Sequence, residues 1–251
     1  MDGVHPGTNL RAPLLAFDTS TELMSVALTC AGGSFGWTGV GGAQASTGLI
    51  PRIESMLAAA GSAYTDLDAI AFGCGPGAFT GLRTACAVAQ GLAFGAGRPV
   101  LAVDSLLIVA EDARMQKAGA DEFEVWVAMD ARMDEVYVAA YRWHAGRWQT
   151  AVRPALYTLP ALNEIWARQP PAVVAGSALT VFGERLNHHG AKPLPQTLDR
   201  AAALMSVAQG LWREGAALPA VLALPLYLRD KVALTTRERE SVRAAKLLAS
   251  A

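Results

Sequence analysis

Two short apolar runs in this chain each stop at an acid and then resume. Leu14 to Phe17 ends in Asp18-Thr19-Ser20-Thr21-Glu22, and Met24 to Thr29 follows as a second run rich in strand formers, so the pattern predicts a strand, a polar turn and a strand. Val125 to Met129, then Asp130-Ala131-Arg132-Met133-Asp134-Glu135, then Val136 to Tyr141 repeat the arrangement. In both hairpins a second acid lies four residues beyond the first, Glu22 after Asp18 and Asp134 after Asp130. A duplicated lobe accounts for this economically.

Between the hairpins the apolar period changes to that of helices. Leu49, Ile53, Met56, Leu57 and Ala60 share one helical face that ends at Gly61, predicting helix one. Asp68 to Phe72 reads as a buried strand broken by Gly73-Cys74-Gly75-Pro76-Gly77, after which Thr80 is placed to cap helix two, running to about Gly95. Pro99 to Val103 is a further strand, followed by a helix capped by Ser105 and reaching about Lys117. In the second half, the pattern predicts a strand at Ala172 to Ala175, helices at Leu179 to Leu186 and Leu204 to Arg213, and a loop with a closing strand within Pro219 to Leu228. Beyond Arg229 the charge density rises, which reads as a solvated terminal helix or tail.

At 251 residues the chain is long enough for two modest cores, and its net charge of -1 excludes a strongly basic nucleic-acid module. Any RNA contact is therefore expected to be shared with a partner. Cys30, Cys74 and Cys86 are too few and too irregularly spaced for a disulfide framework, which points to a reducing, cytoplasmic compartment. Met1 to Ala12 lacks the basic and apolar regions of a secretory signal and reads as a loose extension; no apolar run reaches the length of a membrane span.

The stretch from Gly75 to Arg83 joins a glycine turn to a helix start, with Gly75, Gly77, Thr80 and Gly81 as its corner residues. Free helix N–H groups there suit an anion, but a tight strand-to-helix corner with close backbone packing uses glycine equally well. It is not a Walker loop, because no Gly-Lys-Ser/Thr follows. Gly81, Ala85, Ala89 and Ala93 make a smooth stripe along helix two, fit either for another helix or for the lobe's own sheet. Asp18, Thr19 and Ser20 stand where a nucleotide-binding lobe would place an acid and hydroxyls, with turn capping as the alternative. Asp130 is read as a turn residue, and Gly176-Ser177 either cradles a nucleoside or merely turns the chain. His5, His144, His188 and His189 show no metal-ligand spacing, and no Gly-x-Ser-x-Gly elbow is present, so neither a metal site nor a serine nucleophile is expected.

Three stretches together resemble the TsaB (YeaZ) family: Leu14 to Leu28 (LLAFDTSTELMSVAL), Gly73 to Leu92 (GCGPGAFTGLRTACAVAQGL) and Asp130 to Tyr141 (DARMDEVYVAAY). The ending Pro225-Leu226-Tyr227-Leu228-Arg229-Asp230 resembles the family's closing Tyr-Leu-Arg element, so the resemblance covers about 14–232. It implies an α/β fold of duplicated ribonuclease-H-like lobes, as in the actin-like ATPase (ASKHA) superfamily. The expected division is an extension at 1–12, lobes at 13–106 and 107–232, and a tail at 233–251.

The resemblance also implies a non-catalytic scaffold in threonylcarbamoylation of tRNA adenosine, bound to TsaD and working with TsaE, and a homodimer when TsaD is absent. TsaD would hold the ATP and divalent metal, this chain would need no cofactor, and tRNA would be met through the complex. Helices one and two form the family's association surface, here expected to use Leu49, Ile53, Met56, Leu57, Leu82, Ala85, Ala89 and Leu92. The chain departs from the family at Ala45-Ser46, where relatives often carry a histidine, and at Ala78, where serine is common. Two rival readings are an active actin-like small-molecule kinase, which would need a second phosphate clamp, and a free-standing peptidase, which would need a metal pair or nucleophile that the sequence lacks.

Overall fold

The computed structural model describes residues 11–117 and 121–229. The expected tail at 233–251 and most of the expected extension lie outside the described residues.

The first repeat runs β1 (Leu14–Asp18), β2 (Leu23–Cys30), β3 (Gly33–Val40), α1 (Ala45–Ala60), β4 (Ala69–Gly75), α2 (Phe79–Ala96), β5 (Val100–Asp104) and α3 (Ser105–Met115). The second runs β6 (Phe123–Asp130), β7 (Glu135–His144), β8 (Arg147–Thr158), α4 (Leu159–Arg168), β9 (Val173–Ala175), α5 (Ala178–Phe182), β10 (Lys192–Leu194) and α6 (Arg200–Arg213). The two sheets share one strand order, β3-β2-β1-β4-β5 and β8-β7-β6-β9-β10. In each, the first three strands are antiparallel and the last two run parallel to the first. This is the duplicated ribonuclease-H-like, actin-like fold.

Because side chains alternate across a strand, each sheet has two apolar faces to cover. Leu15, Phe17, Val26, Leu28, Ile70 and Phe72 face α1 and α2, while Leu14, Ala16, Ala27, Ala69, Ala71 and Leu101 face the other way, onto α6. In the second sheet Val125, Val127, Ala139 and Tyr141 face α3, and Trp126, Ala128, Val136 and Val138 face α4 and α5. The closing helices are thus exchanged, α3 of the first repeat lying chiefly on the second sheet and α6 of the second repeat on the first. The second lobe expected at 107–232 therefore gives up α6 to the first.

The prolines and glycines explain most other differences from the sequence reading. α4 was not expected from the sequence; Pro160 lies within its first turn, where it costs no hydrogen bond, and the Thr158 hydroxyl caps the Ala161 amide at 3.4 Å. Gly183, with φ of 51°, stops α5 short of the expected Leu186. No closing strand forms within 219–228; instead Leu218 bridges to Val100 and a 3-10 turn follows at Ala220–Leu222.

Candidate functional site

Between the lobes lies a cavity of about 1050 Å³, walled by the turn after β1, the start of α2, the turn after β6, the start of α6 and the segment 226–229. Every acid-ended strand identified in the sequence points its turn into this cleft.

Asp18, at the end of β1, is fully buried, yet its carboxylate has five donors. Oδ1 accepts from the Ser20 amide (3.1 Å) and the Ser105 hydroxyl (3.3 Å), while Oδ2 accepts from the Ser20 hydroxyl (2.8 Å) and from Arg200 Nε (3.0 Å) and Nη2 (2.5 Å). Arg200 is itself only 5% exposed and also donates to Ser20 Oγ at 3.1 Å. A buried carboxylate this well engaged has neither oxygen free for a metal ion. Gly73 makes room for it, since a Cβ there would lie 2.0 Å from Oδ1. The first residues of both exchanged helices, Ser105 and Arg200, therefore meet on Asp18. Sequence reasoning missed Arg200, whose only signal was a charged residue following Asp199, which caps α6 through the Ala202 amide at 2.9 Å.

The glycine corner packs backbone against backbone. Thr19 Oγ1 donates to the Gly81 carbonyl at 2.7 Å, and the Ala78 amide donates to the Ser20 carbonyl at 2.8 Å. A Cβ on Gly81 would lie 1.8 Å from the Thr19 carbonyl oxygen, and one on Gly77 would lie 2.4 Å from that of Ser20. Close approach accounts for these glycines without a ligand. Thr80 does not cap the helix: α2 begins at Phe79, with Ala78 preceding it, and Thr80 is exposed. Gly176 is the counterpart of Gly75, with φ of 115° against 116°, and a Cβ on it would lie 2.4 Å from the Ala128 carbonyl oxygen. Of Asp18, Thr19, Ser20 and Gly176, Ser20 lines the cleft, as does Ser177 beside Gly176.

The second turn differs. Asp130 accepts from the Arg132 amide at 2.9 Å, and Arg132, Met133 and Asp134 all have positive φ, of 63°, 57° and 58°. Three left-handed residues that are not glycine carry a steric cost each, so the surroundings must hold them. Arg132 pairs with Glu22 across the cleft at 2.8 Å, and Arg185 with Asp134 at 3.1 Å.

Away from the cleft lining, the Tyr141 hydroxyl donates to Asp104 Oδ2 at 2.5 Å. Burial pushes the Asp104 carboxyl up, while the Tyr141 and Leu106 hydrogen bonds draw it back; burial, then the Asp104 charge, raises the Tyr141 phenol well above its ordinary value. Burial and the charges of Asp104 and Asp18 push the nearby Cys74 thiol up to about 12. At pH 8 only about one Cys74 in ten thousand is then a thiolate. Cys30 and Cys74 are both partly buried, so the raised thiol decides between them: we expect iodoacetamide to label Cys30 first, with Cys74 untouched in peptide mass spectra until the fold melts; labelling of Cys74 at the rate of Cys30 would contradict this environment.

The expected association residues lie inside the chain's own core. Leu49, Ile53, Met56, Leu57, Leu82, Ala85 and Ala89 are at most 9% exposed, and Leu92 packs against the same core. The smooth stripe on α2 serves its own sheet, because a helix on a sheet must bury one face. The outward face carries other residues: Ile50 on α1, and Ala87, Gly91, Phe94 and Gly95 on α2, with Phe94 85% exposed.

Residues 42–233 match a family model described as TsaD: tRNA N6-adenosine threonylcarbamoyltransferase. The tRNA threonylcarbamoyladenosine biosynthesis protein TsaB of Escherichia coli K12 is 32% identical over 228 residues, covering 88% of this chain and 96% of that protein. The chain belongs to the TsaB family. The TsaB protein of Haemophilus influenzae is 43% identical over 125 residues, covering 49% of this chain and 51% of that protein. Among solved structures, YeaZ from Pseudomonas aeruginosa is 39% identical with a TM-score of 0.76, covering 86% of this chain and all of that one. In this TsaB-family chain the acid that ends β1 is thus buried behind the cleft and paired with an arginine. Among the described residues no three His, Cys, Asp or Glu side chains gather as metal ligands would, and no helix is long and apolar enough to cross a membrane.

Proposed function

We propose that this chain serves tRNA threonylcarbamoyladenosine biosynthesis as a non-catalytic supporting subunit, docked on a TsaD-type subunit that carries the ATP and divalent metal. Membership of the TsaB family supports the process. The observation that carries the non-catalytic part is the buried Asp18–Arg200 pair: the acid that an actin-like kinase would turn toward phosphate or metal is spent on a protein cation. TsaE completes the assembly in this reading, tRNA is met through the complex, and the chain pairs with a second copy in the cytoplasm when TsaD is absent.

The outward face of α1 and α2 is the proposed docking surface. Gly91 and Gly95 each cost a helix about 1 kcal/mol relative to alanine, and a Cβ on either would meet nothing within 4 Å, so the chain's own packing does not require them. Phe94 beside them leaves almost its whole ring in water. A closely approaching partner helix explains both features. Gly91→Arg is expected to keep the parent's melting temperature and weaken TsaD binding on the order of a hundredfold, measured by titration calorimetry. Ala89→Arg, one turn face away and fully buried, should instead unfold the lobe. Parental binding by both Gly91→Arg and Phe94→Asp would reject the surface.

A further inference from the structure

After α6 the chain recrosses the molecule from one lobe to the other. Leu218 exchanges both backbone hydrogen bonds with Val100 of β5, each 2.8 Å, at the edge of the first sheet. Ala223 is fully buried, and its carbonyl accepts from Cys86 Sγ (3.3 Å) and Gln90 Nε2 (3.0 Å) of α2. The Leu226 amide donates to the Cys74 carbonyl at 2.7 Å. The Tyr227 ring packs 5.1 Å from Phe79, and its hydroxyl accepts from Arg83 Nε at 3.2 Å. Leu228 then joins the core of the second lobe. Arg229 pairs with Glu135 and donates to the Arg132 carbonyl at 3.3 Å, bracing the left-handed turn.

We propose that the segment 218–229 is a strap that sets the opening of the interlobe cleft, with the Arg229–Glu135 pair as its clasp. Residues 226–229 form part of the cleft wall, so the strap has to follow any movement of one lobe against the other. The other charge pair across the mouth, Arg132 with Glu22, has both side chains at least 70% exposed and is worth little. The clasp is better sheltered, with Arg229 15% and Glu135 29% exposed, and its guanidinium also holds a backbone carbonyl. Between the bridge at Leu218 and the clasp, no strand or α-helix fixes the strap, which is held by a 3-10 turn, by the Ala223 and Tyr227 contacts to α2, by the Leu226 hydrogen bond to β4 and by Leu228 in the second lobe's core. Releasing the clasp therefore leaves Leu228 to tie the strap to the second lobe and removes a support of the turn at 132–134. The inference goes beyond the docking role and does not depend on it.

The test is an interlobe distance measured by double electron–electron resonance on the full chain, with spin labels at Val40→Cys and Val181→Cys, both exposed, in a Cys30→Ser background. The parent should give one narrow distribution. Arg229→Ala, and separately Glu135→Gln, should roughly double its width while both lobes stay folded by circular dichroism. The exchange Arg229→Glu with Glu135→Arg should restore the narrow distribution in part, because it returns the charge pair but not the donor to the Arg132 carbonyl. An unchanged distribution in Arg229→Ala and Glu135→Gln overturns the strap, and broadening that the exchange does not reduce overturns the clasp.

Discussion

Arg200→Leu should destabilise the chain by about 3–5 kcal/mol, because it strands a buried carboxylate with no cation beside it. Asp18 has no exposed surface through which water can replace the guanidinium, and two of its five donor contacts come from Arg200. For a chain of this size that loss corresponds to a fall in melting temperature on the order of 10 °C. The double variant Asp18→Asn with Arg200→Leu should recover a large part of it, since the remaining groups are neutral and the Ser20 and Ser105 contacts still have a polar partner. Scanning calorimetry on the four proteins of the cycle decides the matter. An Arg200→Leu protein melting within about 2 °C of its parent would mean that the pair is not buried as described.

Gly81→Ala is expected to be almost as damaging. The added methyl would sit 1.8 Å from the Thr19 carbonyl oxygen, so the start of α2 or the turn after β1 must shift by more than an ångström, and both are pinned by the Thr19 and Ala78 hydrogen bonds. Overpacking of this kind costs about 3 kcal/mol or more, despite alanine's better helix propensity. Gly91→Ala on the same helix provides the contrast, because its methyl points into open space and should stabilise by about 0.5–1 kcal/mol. If urea unfolding gave the two variants equal stabilities, helix propensity alone would govern both positions and the close contact at Gly81 would be wrong.

Much of the framework was legible in the sequence, and the physical reasons are visible strand by strand. β1 and β6 are central strands buried on both faces, so they read as unbroken apolar runs, and the acids that end them mark the turns. β3 and β8 escaped notice because they are edge strands: Gly33, Gly36 and Gly39 dilute one, and alternating polar residues hide the other. The helix stripes were legible but their direction was not. An apolar face on α1 or α2 fits a sheet or a partner equally well from periodicity alone, and only burial shows that Leu49, Ile53, Ala85 and Ala89 serve the sheet. The Asp18–Arg200 pair spans 182 residues, beyond the reach of any local pattern. The glycine corner was recognised as unusual, yet its cause is a backbone contact with Thr19 and Ser20 that no spacing encodes.

The exchange of closing helices has a consequence for how the chain matures. One face of the first sheet, formed by Leu14, Ala16, Ala27, Ala69 and Leu101, is covered by α6, whose residues 200–213 are among the last of the fold to be synthesised. During translation the amino-terminal half must therefore wait with an uncovered apolar face while the second repeat is being made. Contacts this distant along the chain must close a long loop before they contribute, which slows folding and leaves the nascent intermediate open to aggregation. Each repeat thus relies on a helix of the other to cover one face of its sheet.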